Sequence, residues 1–385
     1  MLQRRIVAAF CMGSILSITL PVQANNPAWE MWQPVLQPNT YSPLPPPSTT
    51  VLNCGVLEAF QLPNSCLRTN TSRNGLEDLF RYLNQPSSRN VNASAYPNFL
   101  LLETVQALLN WHDMPLTSYL ADYFTLTPVS SSKGTGNGEF TGYYTPELFA
   151  SRTPNARFRI PIYGKPQSNT NHFSTAEIAN GALAGKGLEI AWTDDPYKLY
   201  VAQVQGSALL HFPDGSNTIL DYAGNNNRPF LSVSSYLKQR NYKVASYSND
   251  AIHDWLQAHP DKTYEVITSN PRYVFFRDTG NTPETASGHS VIPGHTVAVD
   301  SRYIPHGSIL LAELPRFTPT GQLSGTEWRL LFAQDHGKAI AGNGRFDLYT
   351  GTGSSGEARA YAISGSHRVF MLLRKQDALQ RMAGL

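Results

Sequence analysis

The sequence predicts an α+β protein, mainly β, in which a helical N-terminal region precedes two β-rich parts built as barrels or curled sheets. Three observations carry that prediction. Apolar residues recur at three- and four-residue spacing between Leu76 and Leu109, the period shifts towards two from Phe140, and short aromatic and β-branched runs then alternate with turn residues as far as Leu373.

The first segment has the pattern of a secretory signal. Arg4 and Arg5 precede an apolar run from Ile6 to Val22, and Val22-Gln23-Ala24 supplies small residues for cleavage. That run is about seventeen residues and is broken by Ser14, Ser17, Thr19 and Pro21, which is short for a membrane span. Cys11 follows the bulky Phe10 inside the run, an unsuitable setting for lipid attachment. The expectation is an exported, soluble periplasmic protein beginning near Asn25, with association to the outer membrane left open. Residues 25–48 hold seven prolines, including Pro45-Pro46-Pro47, and read as an extended arm.

Helical patterning follows. Leu76, Leu79, Phe80 and Leu83 repeat after Asn74, a plausible cap, and a second helix is expected from Pro97 to Trp111 with Phe99, Leu102, Val105, Leu108 and Leu109 on its apolar side. Ser130 to Gly138 reads as a loop. Strands are expected at Phe140–Thr145, Tyr200–Val204, Ala208–Phe212 and Thr218–Tyr222, with Pro213-Asp214-Gly215 as a turn. Helical patches at Ser174–Leu183, Phe230–Arg240 and Asn249–Ala258 interrupt them, and the last third returns to strands at Thr296–Val299, Ser308–Glu313, Arg329–Ala333 and Arg368–Leu373.

Composition narrows the function. Of 30 basic residues, Arg4 and Arg5 leave with the signal, so 28 basic side chains face 28 acidic ones. A formally neutral chain without a basic stripe argues against nucleic acid as a partner. Ten histidines occur without HExxH or close pairing, so no metal or other cofactor is expected. Cys54 and Cys66 remain after cleavage; a disulfide between them would contribute about 2–3 kcal/mol, and two free thiols are the alternative.

Three aspartates in the last third sit where an apolar strand meets a glycine-bearing loop: Asp300 after Val297-Ala298-Val299, Asp335 after Leu330 to Gln334, and Asp347 after Arg345-Phe346. Part-burial at such a junction raises a carboxyl pKa towards the value a general acid needs. The competing reading is that these groups cap turns or pair with Arg302 and Arg345.

The order of local motifs shifts that balance. Phe140-Thr141-Gly142-Tyr143-Tyr144-Thr145-Pro146, Pro161-Ile162-Tyr163, Val204-Gln205-Gly206-Ser207, Tyr222-Ala223-Gly224, Asn270 to Phe276, Asp300 with Ile304-Pro305, and Asp335 to Asp347 follow one another over some 230 residues. The C-terminal third resembles the three-aspartate domain, and the mature chain resembles the membrane-bound lytic murein transglycosylase A family. That resemblance implies a double-psi β-barrel formed by 49–146 plus 279–385, with a second β-barrel inserted as 147–278 and glycan between the two. It also implies Asp347 as the acid–base aspartate with Asp335 and Asp300 as neighbours. Thr141, Tyr143, Tyr144, Thr145, Gln205 and Ser207 match groove-lining positions, where aromatic faces and hydroxyls suit sugar rings. Neighbouring strand residues point to opposite sides, so one of Tyr143 and Tyr144 is expected to face the core.

The chain departs from the family's pattern at Lys338 and Ala208, where glycines are usual, and at Gly351 to Gly356, which lead into Glu357-Ala358-Arg359-Ala360. No departure removes a carboxylate. The implied activity is cleavage of the β-1,4 bond between N-acetylmuramic acid and N-acetylglucosamine in peptidoglycan, leaving 1,6-anhydromuramic ends, by a monomer acting on glycan strands. Partners among wall-synthesis enzymes are not identifiable from the sequence. A hydrolytic muramidase using Asp335 as second carboxylate and a non-catalytic glycan-binding protein are the alternatives.

Overall fold

The computed structural model of the protein describes residues 66–85, 96–167, 172–280, 282–318 and 321–377. The expected signal, the proline-rich arm and Cys54 lie outside the described residues. Cys66 is disulfide-bonded and packs at the edge of the first core.

In chain order, α1 (Asn70–Asn84), α2 (Asn98–Asp113) and α3 (Leu120–Tyr123) lead into β1 (Phe124–Pro128), the ribbon β2 (Ser130–Ser131) and β3 (Gly134–Thr135), and β4 (Asn137–Thr145). The chain then forms β5 (Glu147–Ser151), β6 (Ile160–Tyr163), α4 (Thr175–Ala179), β7 (Glu189–Thr193), α5 (Pro196–Gln205), β8 (Ser207–His211) and β9 (Asn217–Asn225). Next come α6 (Val233–Gln239), α7 (Asn249–Ala258), α8 (Thr263–Thr268) and β10 (Val274–Gly280). It finishes with β11 (Thr296–Ala298), β12 (Ile309–Phe317), β13 (Leu323–Asp335), β14 (Arg345–Thr352), α9 (Gly353–Ile363) and β15 (Gly365–Arg374).

The fold is α+β and mainly β. Strands run β1-β15-β12-β13-β11-β14-β4 in the first sheet, and β15 also pairs with β4, which closes β4 and β11–β15 into a six-stranded barrel. Two of its pairings, β11 with β13 and β14 with β4, are parallel, as a double-psi β-barrel requires. The second sheet runs β10-β9-β8-β5-β7-β6, and a bridge between Gly164 and Phe276 brings its two edges together. Each sheet has its own apolar core. Leu76, Leu79, Leu108 and Trp111 of α1 and α2 pack on Phe332 and Phe346 of the first, while Leu199, Ile252 and Ile267 pack on Leu210 and Phe276 of the second. Each such large side chain contributes about 1.5–3 kcal/mol by leaving water.

Several local expectations need correction. Tyr200–Val204 is not a strand but the middle of α5. Asp195 accepts hydrogen bonds from the Tyr197 and Lys198 amides, Pro196 opens the helix, and Gly206 closes it at φ 87°. These end signals outweigh the β preference of Tyr and Val, and burial on nearly every side hides the helical period. Helix α1 starts four residues before Asn74, because Thr69 and Ser72 form a reciprocal cap. Phe99 is exposed in the first turn of α2 instead of facing the core.

Candidate active site

The barrel brings two of the three aspartates to one groove. Asp335 ends β13 and Asp347 lies on β14, the two strands flanking β11, and both are in register with Ala298. Their backbones are therefore two strand spacings apart, about 10 Å. The methyl group of Ala298 leaves the space between them open to a groove of about 1130 Å³.

Strand β4 holds both carboxylates from the far side of β14. Thr141 is in register with Asp347 and Tyr143 with Tyr349. The Thr141 hydroxyl donates to Asp347 Oδ1 at 2.6 Å and accepts from Arg345 Nη2 at 2.9 Å, so the guanidinium acts on Asp347 through the threonine. Burial pushes the Asp347 carboxyl up to about 6; Thr141 and Arg345 oppose that shift and the Asp335 charge adds to it. Asp335 is held by three donors: the Tyr143 hydroxyl at 2.8 Å, the Ala286 amide at 3.1 Å and the His336 amide at 2.9 Å. Burial, then the Asp335 charge, raises Tyr143 well above the usual phenol range, so it stays a donor.

Gly142, between these two site residues, has a packing reason. A Cβ there would stand 2.4 Å from the Ala360 backbone, so α9 can lie against β4 only over a glycine.

The second sheet supplies the other wall. Gln205 ends α5 and its Oε1 accepts from the Tyr144 amide at 3.1 Å, which ties this wall to β4. Ser207, Asp221 and Arg277 are cross-strand partners on β8, β9 and β10, and all three line the groove. Tyr222 and Phe230, each 49% exposed, add aromatic faces.

Of the residues expected to line the groove, Thr141, Tyr143, Gln205 and Ser207 do so. Tyr144 points to the opposite side of β4, into a separate cavity of about 320 Å³ where its hydroxyl is 3.4 Å from Asn249 Nδ2. Thr145 is fully buried and links Ser207 to the Tyr349 hydroxyl, 3.0 Å from each. Asp300 stands outside the groove lining. Arg302 donates to it through Nε at 2.9 Å and Nη2 at 2.6 Å, and the Gly342 amide at 2.7 Å. The Arg302 guanidinium holds its carboxyl well below the usual carboxylate range, so it stays ionised and ties down the loop between β13 and β14. The sequence pattern does not mark Asp221 or Arg277 as site residues. The available sign is that Asp221 interrupts the apolar run Ile219-Leu220, where an aspartate is unfavourable without a reason.

Comparison with known proteins agrees with this fold. Residues 139–277 match the MltA specific insert domain family, and residues 295–373 match the 3D domain family. The membrane-bound lytic murein transglycosylase A of Vibrio cholerae is 36% identical over 223 residues, which are 57% of this chain and 60% of that protein. The Escherichia coli K12 protein of the same name is 36% identical over 242 residues, 62% of this chain and 66% of its own length. The chain thus spans somewhat under two thirds of these curated relatives. Among solved structures, E. coli MltA with bound chitohexaose superposes with a TM-score of 0.65 at 30% identity, covering 78% of this chain and 89% of that one. The membrane-bound lytic murein transglycosylase from Agrobacterium tumefaciens gives 0.64 at 25% identity, covering 80% and 94%. No helix among the described residues is long and apolar enough to cross a membrane.

Proposed function

The chain belongs to the membrane-bound lytic murein transglycosylase A family, and from that membership we propose that it cleaves peptidoglycan glycan strands without adding water. Asp347 carries the reading. It is a half-buried carboxyl in a groove wide enough for a sugar chain, raised to about 6 and with one oxygen fixed by Thr141. A group of that pKa holds a proton in a substantial fraction of molecules near neutral pH and returns to the carboxylate readily.

Protonated Asp347 gives its proton to the glycosidic oxygen between N-acetylmuramic acid and N-acetylglucosamine as the muramyl C1–O bond breaks. The carboxylate left behind takes the proton from the C6 hydroxyl of the same muramyl unit, and that oxygen closes on C1 to form the 1,6-anhydro ring. The nucleophile is tethered, so its effective concentration is high and one acid serves both steps. Asp335, 12 residues earlier and on the far side of β11, supplies negative charge beside the cationic sugar carbon. Three donors hold Asp335 as an oriented carboxylate, which suits an electrostatic role; a two-carboxylate muramidase is the alternative that the product ends distinguish. Residues 147–278 serve as an inserted glycan-binding wall, and the protein works in the periplasm after loss of residues 1–24.

Mass spectrometry of muropeptides from digested peptidoglycan tests the proposal. The expected product ends are 1,6-anhydromuramic, lighter by one water than the reducing ends a muramidase would leave. Reducing ends alone would refute it.

A further inference from the structure

The chemistry above uses carboxylates from the barrel, yet the opposite wall carries one of its own. Asp221 is 4% exposed and lines the groove; among the described residues no cation forms an ion pair with it, although the Arg277 charge reaches it from the next strand. Its cross-strand partner Arg277 gives its guanidinium to Glu284 at 2.9 Å, while Asp221 Oδ2 accepts only the Glu284 amide at 2.8 Å. A buried carboxylate without a counter-ion costs several kcal/mol unless a partner arrives. The partner chemistry is read from its neighbours. Asp221 shares its sheet face with Ser207, whose hydroxyl is part of the Ser207–Thr145–Tyr349 run that joins the two walls. Asp335 and Tyr349 on the barrel wall are both close enough to feel its charge. The groove lining mixes Arg272, Arg277 and Lys338 with the carboxylates, so what Asp221 itself asks of a ligand is a hydrogen-bond donor. Sugar hydroxyls and acetamido N–H groups supply one.

We propose that Asp221 is a glycan-binding residue on the wall opposite the aspartate pair, its free Oδ1 accepting a hydrogen bond from a hydroxyl or acetamido N–H of the sugar that faces Asp335. The proposal rests on the glycan-cleaving reading above. Burial raises the carboxyl to about 6, as expected of a desolvated acid waiting for a donor. The Glu284 amide alone would make Asp221 a loop anchor, and the two roles separate experimentally because asparagine keeps the acceptor that an anchor needs.

The test uses the full chain carrying Asp347→Asn, which leaves glycan uncut, with chitohexaose as the calorimetric probe. Adding Asp221→Asn is expected to weaken chitohexaose binding about tenfold to a hundredfold, as for loss of a hydrogen bond to a charged group, without lowering Tm. Asp221→Ser, which shortens the side chain, should weaken binding equally. In the otherwise wild-type chain, with Asp347 intact, Asp221→Asn should raise KM on peptidoglycan more than it lowers kcat. Binding within twofold of the parent, with wild-type protein still forming anhydro ends, would overturn the role of Asp221 and leave the enzyme reading standing. A wild-type protein that neither binds chitohexaose nor cuts peptidoglycan would overturn both. A fall in Tm with unchanged affinity in Asp221→Ser, beside an Asp221→Asn that keeps both, would make Asp221 a loop anchor.

Discussion

The Thr141 hydroxyl donates to Oδ1 of Asp347, which leaves Oδ2 as the oxygen free to carry a transferable proton. The register of β4 against β14 fixes this division of labour before any ligand binds. Asp347→Asn keeps the shape and the Thr141 contact but has no acid to give. It should lower kcat on peptidoglycan by at least about 10²–10⁴-fold while retaining chitohexaose binding. Retained turnover would remove Asp347 from the mechanism.

Thr141→Val deletes a hydrogen bond that stabilises the ionised form of Asp347. The Asp347 carboxyl then rises further above 6, and the alkaline fall in kcat/KM, which tracks loss of its proton, moves to higher pH. A pH profile of the variant against wild type checks the direction.

Asp335→Asn predicts the opposite displacement. The charge of Asp335 helps hold the proton on Asp347, so neutralising it lowers that pKa and moves the alkaline limb to lower pH. The same change removes negative charge beside the sugar carbon, so kcat should fall at every pH. A variant with an unmoved limb would show that the two carboxylates do not communicate.

Asp221 also leaves a mark on stability. Its folded pKa of about 6 lies above the unfolded value of about 4, so the folded chain holds this proton more tightly. The group therefore favours folding below about pH 4, and that contribution is lost as pH rises through about 6. His295, lowered to about 4 by burial, titrates with the opposite sense in the same window, so the comparison must be wild type against Asp221→Asn. Denaturant midpoints should show the variant gaining relative stability from pH 4 to pH 7, on the order of 2–3 kcal/mol.

Gly142→Ala tests the seat of α9. Its methyl would meet the Ala360 backbone at 2.4 Å, and neither strand nor helix can retreat without disturbing the other. A loss of about 1–3 kcal/mol is expected, with a lower Tm. Activity should fall as well, because Thr141 and Tyr143 flank the glycine.

Much of this architecture was legible where local chemistry and tertiary packing agree. The helix at 249–258 follows its period because Ile252 and Leu256 give it one buried face, and the strands beginning near Thr296 and Ser308 are legible as short continuous apolar runs buried on both faces. Legibility failed where burial erased the period, as in α5, and where glycine disguised a helix. Gly353 and Gly356 sit in α9, which persists because it packs on β4 and β14 and not because its residues favour it. In the site, Asp335 and Asp347 are readable as acids at strand ends. Asp300 carries the same local signature, but Arg302, two residues on, claims it as a structural ion. Asp221 shows only one local sign, an acid breaking the run Ile219-Leu220, because the groove it lines is made by a sheet distant in sequence.

Closure of the barrel by β4 has a consequence for how the chain reaches this state. Thr141 and Asp347 are 206 residues apart in sequence, so β4 emerges early and must wait for its partners β14 and β15. Joining ends over so long a contour is slow and entropically expensive in an open chain. The second sheet leaves from β5, directly after β4, and ends at β10, shortly before β11. If it folds first, it draws those two points together and turns a long unstructured loop into a short effective tether. The intervening unit then acts as an internal scaffold for assembly, and destabilising its core should slow barrel formation even where no barrel contact is touched.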